Sequence, residues 1–297
     1  MEKSLNSDSI RLFKADDMAA YIPQIDPEEA EELIEEVEEN SEEVFAIGLK
    51  ENEEAEEKEE KIIGFAYIED DDEGFYYVYI FPEYRHKGYG YAAACAAEKM
   101  IHAAPPFTII TAYDSKNAAA KKFAEKCGFR DKFSSAKLIY QGEKFEIPEV
   151  PVRQYRDEDF MEAFTLAEDA FHKMRLETGC FPESTTTPPN DKYRQRFAET
   201  ADERYVYELN GKVVGYAKLD GEELDIICIK ISHQGEGLGR NFLKYMINLM
   251  IDSGVKEPVL WCVVGNKKAR KLYDSLGFKE VRITAYPEKK IEAKPEE

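Results

Sequence analysis

Short apolar runs alternate with helical apolar stripes along this chain, and the same order of elements occurs in both halves. Apolar runs predict strands over residues 62–68, 75–81 and 107–111 in the first half, and over 213–219, 224–231 and 259–263 in the second. Apolar residues from Leu238 to Leu249 recur every three or four positions, which predicts a helix that ends at Gly254. Each half also opens with a strand and a helical region, and closes with a short helix before a Gly-Phe pair. This order predicts an α/β fold of the α+β type, with a mixed sheet in each half.

The two halves share residues as well as elements. Matching positions first lie 142 residues apart (Ile10-Arg11 with Val152-Arg153) and then 151 residues apart (Lys61–Ala66 with Lys212–Ala217). From there on the spacing is constant at 149 residues, and the pairs are Gly88 with Gly237, Gly90 with Gly239, Asn117 with Asn266, and Gly128-Phe129 with Gly277-Phe278. A constant spacing over more than forty residues indicates a tandem duplication. We therefore predict two domains, residues 1–148 and 149–297, joined near Pro148.

Charge is distributed unevenly between the halves. The net charge is −21; residues 1–148 hold 17 basic and 34 acidic residues, and residues 149–297 hold 23 and 27. The electrostatic field of this negative net charge repels the phosphate backbone of nucleic acids, so nucleic acid is not an expected partner. Much of the acidic excess lies in a predicted surface helix beginning at Pro27 and in a segment over residues 51–61 that is typical of a solvated loop. A partner-binding role for these acids is the less favoured alternative.

The remaining composition favours a protein of a reducing compartment. Five cysteines are scattered without a CxxC spacing, which predicts neither a disulfide framework nor a metal site. No apolar run reaches the ~20 residues needed to cross a bilayer. The first nine residues lack the apolar core of a secretory signal. A cytoplasmic protein without a membrane partner is therefore expected, and its oligomeric state stays open.

A glycine turn connects the third predicted strand to the following helix in each half. The turn reads Gln-Gly-Glu-Gly-Leu-Gly over residues 234–239 and Arg-His-Lys-Gly-Tyr-Gly over 85–90. Glycines let the backbone approach a phosphate, and the free amides of a helix N-terminus point toward it. Neither turn has the spacing of a P-loop or of a dinucleotide fingerprint. A glycine turn can also serve only as a connection, so one copy alone would be weak evidence for an anion site.

The wider pattern is more specific. The pattern begins with Gln/Arg-x-x-Gly-x-Gly and continues some 30 residues later with Asn-x-x-Ala and Gly-Phe. It resembles the GNAT N-acetyltransferase superfamily in both halves of the chain, most strongly from residue 213 to 278. The resemblance implies that acetyl-CoA is the acetyl donor and that the turn holds its pyrophosphate. The cofactor-binding residues it implies are Ile229, Ile231, Gln234, Gly235, Glu236, Gly237, Leu238, Gly239, Arg240 and Asn266. Glu236 departs from the pattern, because an acid in an anion turn adds repulsion.

Candidate proton-transfer groups stand in the second half. Tyr273 lies where similar acetyltransferases place the general acid that protonates the departing thiolate, although a tyrosine packed on a helix is the plain alternative. Glu223 lies eleven residues before Gln234, as does the base in some relatives. Asp225 is on the same strand face, so it or a chain of water molecules is the alternative base.

The first half lacks both groups. At the spacing of 149 residues, Ala124 occupies the position that corresponds to Tyr273, and Gly74 the position that corresponds to Glu223. Glu73 is one residue away, which on a strand points to the other face. We therefore predict that the first domain is catalytically inactive and supports the second.

These observations predict direct acetyl transfer from acetyl-CoA to a primary amine of a small molecule or a protein, in a ternary complex. A protein that senses CoA without turnover is the alternative, and a purely structural interaction protein is a third. The proline-rich segment over residues 178–191 is predicted to be a mobile loop that sets acceptor specificity. His172, His233 and Cys180 lack the spacing of a nucleophilic site, whereas Cys262 is expected to be a buried strand residue.

Overall fold

The structure is a computed structural model that describes residues 10–39, 41–49, 61–70, 74–102 and 107–292. The opening nine residues and almost all of the predicted acidic loop over residues 51–61 lie outside the described residues. The chain forms two compact units. Unit 1 comprises residues 1–132 and 285–297, and unit 2 comprises residues 133–284.

The strands and helices follow the predicted order in both halves. The elements that begin in the first half are β1 (Ile10–Phe13), α1 (Pro27–Glu38), β2 (Val44–Leu49), β3 (Lys61–Asp70), β4 (Gly74–Ile80), α2 (Tyr89–Glu98), β5 (Phe107–Ile110), β6 (Tyr113–Asp114), α3 (Ala118–Lys126) and β7 (Arg130–Ile139). Those of the second half are β8 (Val152–Gln154), α4 (Phe160–Thr178), α5 (Asp191–Glu199), β9 (Arg204–Leu209), β10 (Lys212–Asp220), β11 (Glu223–Ile229), α6 (Leu238–Asp252), β12 (Val259–Val263), α7 (Lys267–Ser275) and β13 (Lys279–Ile291). The bounds of the six strands predicted by range lie within two residues of those observed.

Each unit contains a mixed sheet. In unit 1, β1 to β4 form an antiparallel meander, β5 pairs parallel to β4, and residues 288–291 of β13 pair antiparallel to β5. In unit 2, β8 to β11 form the meander, β12 is parallel to β11, and residues 135–139 of β7 pair antiparallel to β12. The last strand of each unit therefore comes from the other half of the sequence.

Apolar faces of helices cover these sheets. In unit 2, α6 buries one side against β10, β11 and β12, and its fully buried residues are Phe242, Leu243, Met246, Ile247 and Met250. Each such side chain contributes about 1.5–3 kcal/mol through burial. Helix α4 packs a second apolar cluster against β9 and β10 from residues such as Phe160 and Phe164. In unit 1, Leu33 and Val37 of α1 are buried in an apolar cluster with β2, β3 and β4.

A buried ion pair attaches the start of α4 to the first strand of the second half. The Arg153 guanidinium donates to both carboxylate oxygens of Asp159, at 2.7 and 2.8 Å, and Asp159 is 6% exposed. The same carboxylate accepts the Arg156 backbone N–H at 2.8 Å. Burial raises the pKa of Asp159, but these hydrogen bonds outweigh it and the pKa is lowered overall. The Arg153–Asp159 pair thus positions α4, which forms one wall of the candidate site.

Within the described residues, no helix has both the length and the apolar content needed to cross a membrane.

Candidate active site

Two parallel strands of unit 2 diverge and open a cleft. The register of β11 and β12 contains one Cα pair, Glu223 with Val259, at the start of both strands. Beyond that pair the strands separate toward Ile229 and Val263, and a cleft of about 770 Å³ lies between them. Helices α4, α6 and α7 complete its walls. The backbone edge of β11 that faces the cleft is therefore available to a ligand, since β12 has moved away from it.

The glycine turn lies at the wide end of this cleft. Gly235 and Gly237 have φ angles of +87° and +84°, which favour glycine, and α6 begins directly after Gly237. A β-carbon at either position would meet no atom within 4 Å, so open space adjoins the turn. The Gln234 side chain donates to the Ile229 carbonyl at 3.1 Å, which joins the turn to the end of β11. The turn thus presents its backbone to the cleft, as an anion site requires.

The cleft contains most of the cofactor-binding residues that the sequence predicts. Those that line it are Ile229, Gln234, Gly235, Gly237, Gly239, Arg240 and Asn266. Glu236 and Leu238 belong to the same turn but are not among the described residues that line the cleft.

Ile231 lies outside the strand to which the apolar run assigned it. β11 ends at Ile229, and residues 231–233 form a 3-10 turn in which Ile231 is 40% exposed. The strand ends because the His233 N–H donates back to the Lys230 carbonyl at 2.8 Å. Of the two isoleucines predicted to pair with a cofactor, only Ile229 lines the cleft among the described residues.

Tyr273 lies in the cleft wall on α7. It is 8% exposed, and no described residue hydrogen-bonds its hydroxyl. Burial, followed by the nearby Cys262 thiol, raises the pKa of Tyr273. The phenol therefore stays protonated at neutral pH, and its proton is available to a ligand. Asn266 caps the same helix by accepting the Ala269 N–H at 3.2 Å, so the Asn-x-x-Ala motif orients the helix that carries Tyr273.

Glu223 pairs with Val259 where β11 and β12 meet, but of the two candidate bases only Asp225 is among the described residues that line the cleft. Burial, then the charges of Asp225 and Asp220, raises the pKa of Glu223. Asp225 lines the cleft and forms an ion pair with Lys218 at 3.0 Å. A carboxylate whose pKa is raised is a stronger base when ionised, which suits proton abstraction. The Asp225 carboxylate is thus already engaged by a cation, whereas Glu223 has no ion pair among the described residues.

Four cations border the cleft, and the sequence motifs identified only one of them. Arg240 follows the glycine turn in the first turn of α6, whereas Lys173 lies on α4, and Lys267 and Lys268 begin α7. The Lys173 ammonium donates to the Gln234 side-chain oxygen at 3.0 Å, so it lies next to the turn. The predicted acid at Glu236 is therefore outweighed by positive charge around the cleft. A lysine outside a motif carries no sequence signal, because surface lysines are common.

The cleft also contains a residue from the first half of the sequence. Ser135 of β7 pairs with Val263 of β12 and lines the cleft. Trp261, the chain's one tryptophan, lines the same wall. The second half of the sequence alone therefore does not contain the whole cleft of unit 2.

The remaining candidates of the second half have structural surroundings. Cys262 is 6% exposed on β12, as predicted, and burial raises the pKa of its thiol to about 11. His172 on α4 contacts the Ser184 hydroxyl at 3.2 Å. That serine belongs to the segment between α4 and α5, and Phe181 of this segment packs against Phe133 at 4.9 Å between ring centroids. Mobility and a role in specificity remain predictions for this segment.

The corresponding part of unit 1 is smaller and more aromatic. A cavity of about 340 Å³ lies beside β4 and α3. Tyr76, Tyr113 and Phe123 line it at positions that correspond to Asp225, Cys262 and Leu272 of the second half. Ala124 lines it in place of the catalytic tyrosine candidate. The larger side chains account for the reduced volume.

One of the two basic residues of the first glycine turn, Arg85, is already paired with an acid. Arg85 donates from Nε to the Ile80 carbonyl at 2.8 Å, as Gln234 does to Ile229 in unit 2. Its other nitrogens contact the Glu29 carboxylate, the shorter distance being 2.6 Å. The guanidinium also lies 5.1 Å from the centre of the Tyr79 ring. The Arg85 charge of this turn is thus neutralised by Glu29 of α1.

Comparisons with known proteins show the family of both halves of the chain. Residues 172–278 match the model of the acetyltransferase (GNAT) family, and residues 6–130 match an acetyltransferase (GNAT) domain. The [ribosomal protein bS18]-alanine N-acetyltransferase of Escherichia coli K12 is 37% identical over 102 residues, which cover 31% of this chain and 68% of that protein.

Solved structures share the fold over almost the whole chain. A GCN5-related N-acetyltransferase from Sphaerobacter thermophilus aligns with a TM-score of 0.67 and 16% identity, covering 96% of this chain and 97% of the other. A tandem GNAT protein from the clavulanic acid biosynthesis pathway aligns with a TM-score of 0.60 and 11% identity, covering 95% and 98%.

Proposed function

Because this chain belongs to the GNAT family of acetyltransferases, with two such domains in tandem, we propose that unit 2 transfers the acetyl group of acetyl-CoA to a primary amine by direct attack. One observation carries the proposal. A single cleft brings together a glycine turn, an unpaired backbone edge and a buried tyrosine hydroxyl that no described residue engages. These are the groups needed to bind a phosphate-bearing thioester and to protonate its leaving group.

The residues of the cleft fit acetyl-CoA in charge and shape. The amides after Gly235 and Gly237 would hold the pyrophosphate, and Arg240 would add positive charge beside it. The free edge of β11, ending at Ile229, would pair with the amide groups of the pantetheine arm. When bound, acetyl-CoA supplies an acetyl thioester; the amine forms the new C–N bond as the C–S bond breaks, leaving an N-acetyl amine and the CoA thiol.

Tyr273 would supply the proton that the departing sulfur requires. A phenol has an ordinary pKa of about 10 and a thiol one of about 8.5, so complete proton transfer from the phenol to a thiolate is uphill by about 2 kcal/mol in water. Burial raises the pKa of Tyr273 further, which keeps its hydroxyl protonated but also makes donation less favourable. Hydrogen bonding to the sulfur, with transfer as its charge develops, is therefore the role that we assign to it.

Glu223 would accept the proton that the amine loses. Its raised pKa brings the carboxylate closer to neutral pH, where general-base catalysis is most effective. Asp225 lines the cleft but is engaged by Lys218. Asp225 or a water chain would remain the base if removal of the Glu223 carboxylate had no effect.

Unit 1 would serve as a catalytically inactive support. Ala124 has no proton to donate, and Gly74 has no side chain to act as a base. The Arg85–Glu29 ion pair and the smaller aromatic cavity both disfavour CoA in this unit. Since unit 2 includes residues 133–148 of the first half, that half also completes the proposed catalytic unit.

The identity of the acceptor amine can be tested with a panel of candidate amines. We expect the purified chain to release CoA thiol from acetyl-CoA in the presence of a suitable amine, detected by a thiol reagent, with the acetylated product identified by mass spectrometry. Because the E. coli relative acts on an alanine of a ribosomal protein, the panel includes peptides with N-terminal alanine beside small amines and amino sugars. Binding of acetyl-CoA without thiol release from any acceptor would favour a CoA sensor instead.

A further inference from the structure

Unit 1 retains a cavity where unit 2 has its cleft, and the proposed function assigns no ligand to it. The register of β4 and β5 contains two Cα pairs, at Gly74 and Phe75 of β4, and residues 76–78 of β4 line the cavity beyond them. Its volume of about 340 Å³ lies at the small end of the range of ligand pockets. The cavity is therefore large enough for a small molecule.

Aromatic side chains form much of the cavity lining. They are Tyr76, Tyr77, Tyr113, Phe123 and Phe129. At four of the five corresponding positions the second half of the chain has no aromatic residue, so the shared fold does not require these rings. The rings of Tyr76 and Phe129 lie 5.5 Å apart between centroids at an angle of 77°, and thus form two differently oriented walls.

Tyr76 offers its ring to a ligand, since its hydroxyl is already bound elsewhere. The hydroxyl donates to the Glu98 carboxylate at 3.0 Å, and Glu98 is not among the described residues that line the cavity. The side chain of Tyr76 is almost completely buried. The ring is therefore held in place before any ligand binds.

The charge of the cavity lining is opposite to that of the unit 2 cleft. Among the described residues, the charged side chains that line the cavity are Asp26, Glu29, Asp114 and Lys116. Two acids and four cations line the cleft of unit 2. Even with Glu29 neutralised by Arg85, acids outnumber the cation in the unit 1 cavity. The first half of the chain, with 34 acidic and 17 basic residues, adds a field that attracts cations.

Asp114 provides a fixed carboxylate in this lining. Its Oδ1 accepts the Lys116 backbone N–H at 2.7 Å, which holds the carboxylate at the end of β6. No described residue hydrogen-bonds the other carboxylate oxygen, so that oxygen can face a ligand. The corresponding residue of the second half is Val263, which shows that the shared fold does not require an acid here.

We infer that the unit 1 cavity binds a small quaternary ammonium compound, with its cationic head against the aromatic rings and Asp114 as the counter-charge. A quaternary ammonium spreads its charge over methyl groups, and the faces of aromatic rings attract such a cation. A bare ammonium needs hydrogen-bond acceptors in place of its hydration water, and aromatic rings do not supply them. The inference goes beyond the proposed function and does not depend on it, because no residue of the unit 2 cleft takes part.

The test compares choline with the neutral alcohol in which a carbon atom replaces the choline nitrogen. The two probes have nearly the same shape and differ in charge. Binding to the full chain is measured by isothermal titration calorimetry at constant ionic strength, and we expect choline to bind about fivefold to tenfold more tightly. Choline should leave the fluorescence of Trp261 unchanged, because this single tryptophan lines the cleft of unit 2.

Two variants locate the site. Asp114→Asn keeps a side-chain oxygen that can accept the Lys116 N–H but removes the charge, so choline should bind about threefold to fivefold more weakly and the alcohol almost as before. Phe123→Leu places at this position the residue type that the second half has at Leu272, and should reduce the preference for choline about twofold to fivefold through the loss of a ring.

Asp131→Asn is the matched control for the loss of an acid. The Asp131 side chain is 70% exposed and does not line the cavity, so this variant should keep the full preference for choline. Equal affinity for the two probes, no detectable choline binding, or a preference that both site variants retain in full would overturn the inference. A choline-dependent change in Trp261 fluorescence would place the probe in unit 2 and overturn it as well. Acetyl transfer by unit 2 is measured separately, so none of these results bears on the proposed function.

Discussion

The Lys289 ammonium donates to both carboxylate oxygens of Glu98, at 2.7 and 2.8 Å, across 191 positions of the chain. Glu98 also accepts the Tyr76 hydroxyl at 3.0 Å. Both charged side chains are largely buried, with 23% and 21% of their surface exposed. The last strand of the sequence therefore contributes a cation to the interior of unit 1, where it compensates an acid from the first half.

Replacing this lysine should destabilise unit 1. Lys289→Met leaves the Glu98 carboxylate without its cation, and we expect the free energy of unfolding to fall by about 1–3 kcal/mol. Differential scanning calorimetry measures the change. Lys290→Met, at a neighbouring position that is 55% exposed, is the matched control and should shift the melting temperature little. Equal shifts in the two variants would show that the Glu98 contact contributes nothing specific.

Tyr273→Phe should reduce turnover without reducing cofactor binding. The substitution keeps the buried ring, which packs 5.6 Å from Phe278 between centroids, and removes only the hydroxyl. General-acid groups contribute typically about 10²–10⁴-fold, so kcat with saturating amine should fall at least ~10-fold. Tyr245→Phe on α6 removes a hydroxyl from the same unit outside the cleft lining and serves as control. An unchanged kcat for Tyr273→Phe would exclude the assigned role.

Glu223→Gln should alter the pH profile as well as the rate. A base acts only when deprotonated, so kcat/KM of the wild-type chain should fall as the pH decreases through the raised pKa of Glu223. We call this fall of kcat/KM toward low pH the acidic limb of the profile. It should disappear in the variant, and kcat/KM at neutral pH should be about 10–100-fold lower. Glu222→Gln, at the exposed neighbouring position, should retain the limb. A limb that persists in Glu223→Gln and disappears in Asp225→Asn would identify Asp225 as the base.

One acetyl-CoA should bind per chain, at the second glycine turn. Gly237 and Gly88 are equivalent residues with φ angles of +84° and +87°. A β-branched residue at either position strains the turn by about 1–3 kcal/mol. Gly237→Val should therefore abolish the adduct seen by native mass spectrometry, whereas Gly88→Val should leave one adduct per chain. Two adducts in the wild-type chain, one of them lost in Gly88→Val, would assign a second cofactor site to unit 1.

Local patterns in the sequence were sufficient to predict the elements and the motif that orient the site. A helix or strand buries one face, so its apolar residues recur at a fixed short interval that can be read directly. A glycine with positive φ before a helix, as at Gly237, is also a local requirement of the backbone. The duplication could be read because it repeats these local signals at a constant spacing. Gln234, Asn266 and Tyr273 are named because the motif that contains them resembles the GNAT family, since the duplication by itself assigns no chemistry to these positions.

The boundary of the candidate site depended on contacts between distant residues. Residues 135–139 of β7 join β12 in unit 2, and residues 288–291 of β13 join β5 in unit 1, although the sequence order predicts neither partner. Strand pairing is set by the faces and edges that remain open after the rest of a sheet has formed, and these have no periodicity in the sequence. Ser135 lines the cleft through this strand pairing, and Lys173 lines it because α4 packs beside β11. Sequence thus determined the elements and their chemistry, and tertiary structure decided which side chains share one cleft, because that proximity comes from long-range packing.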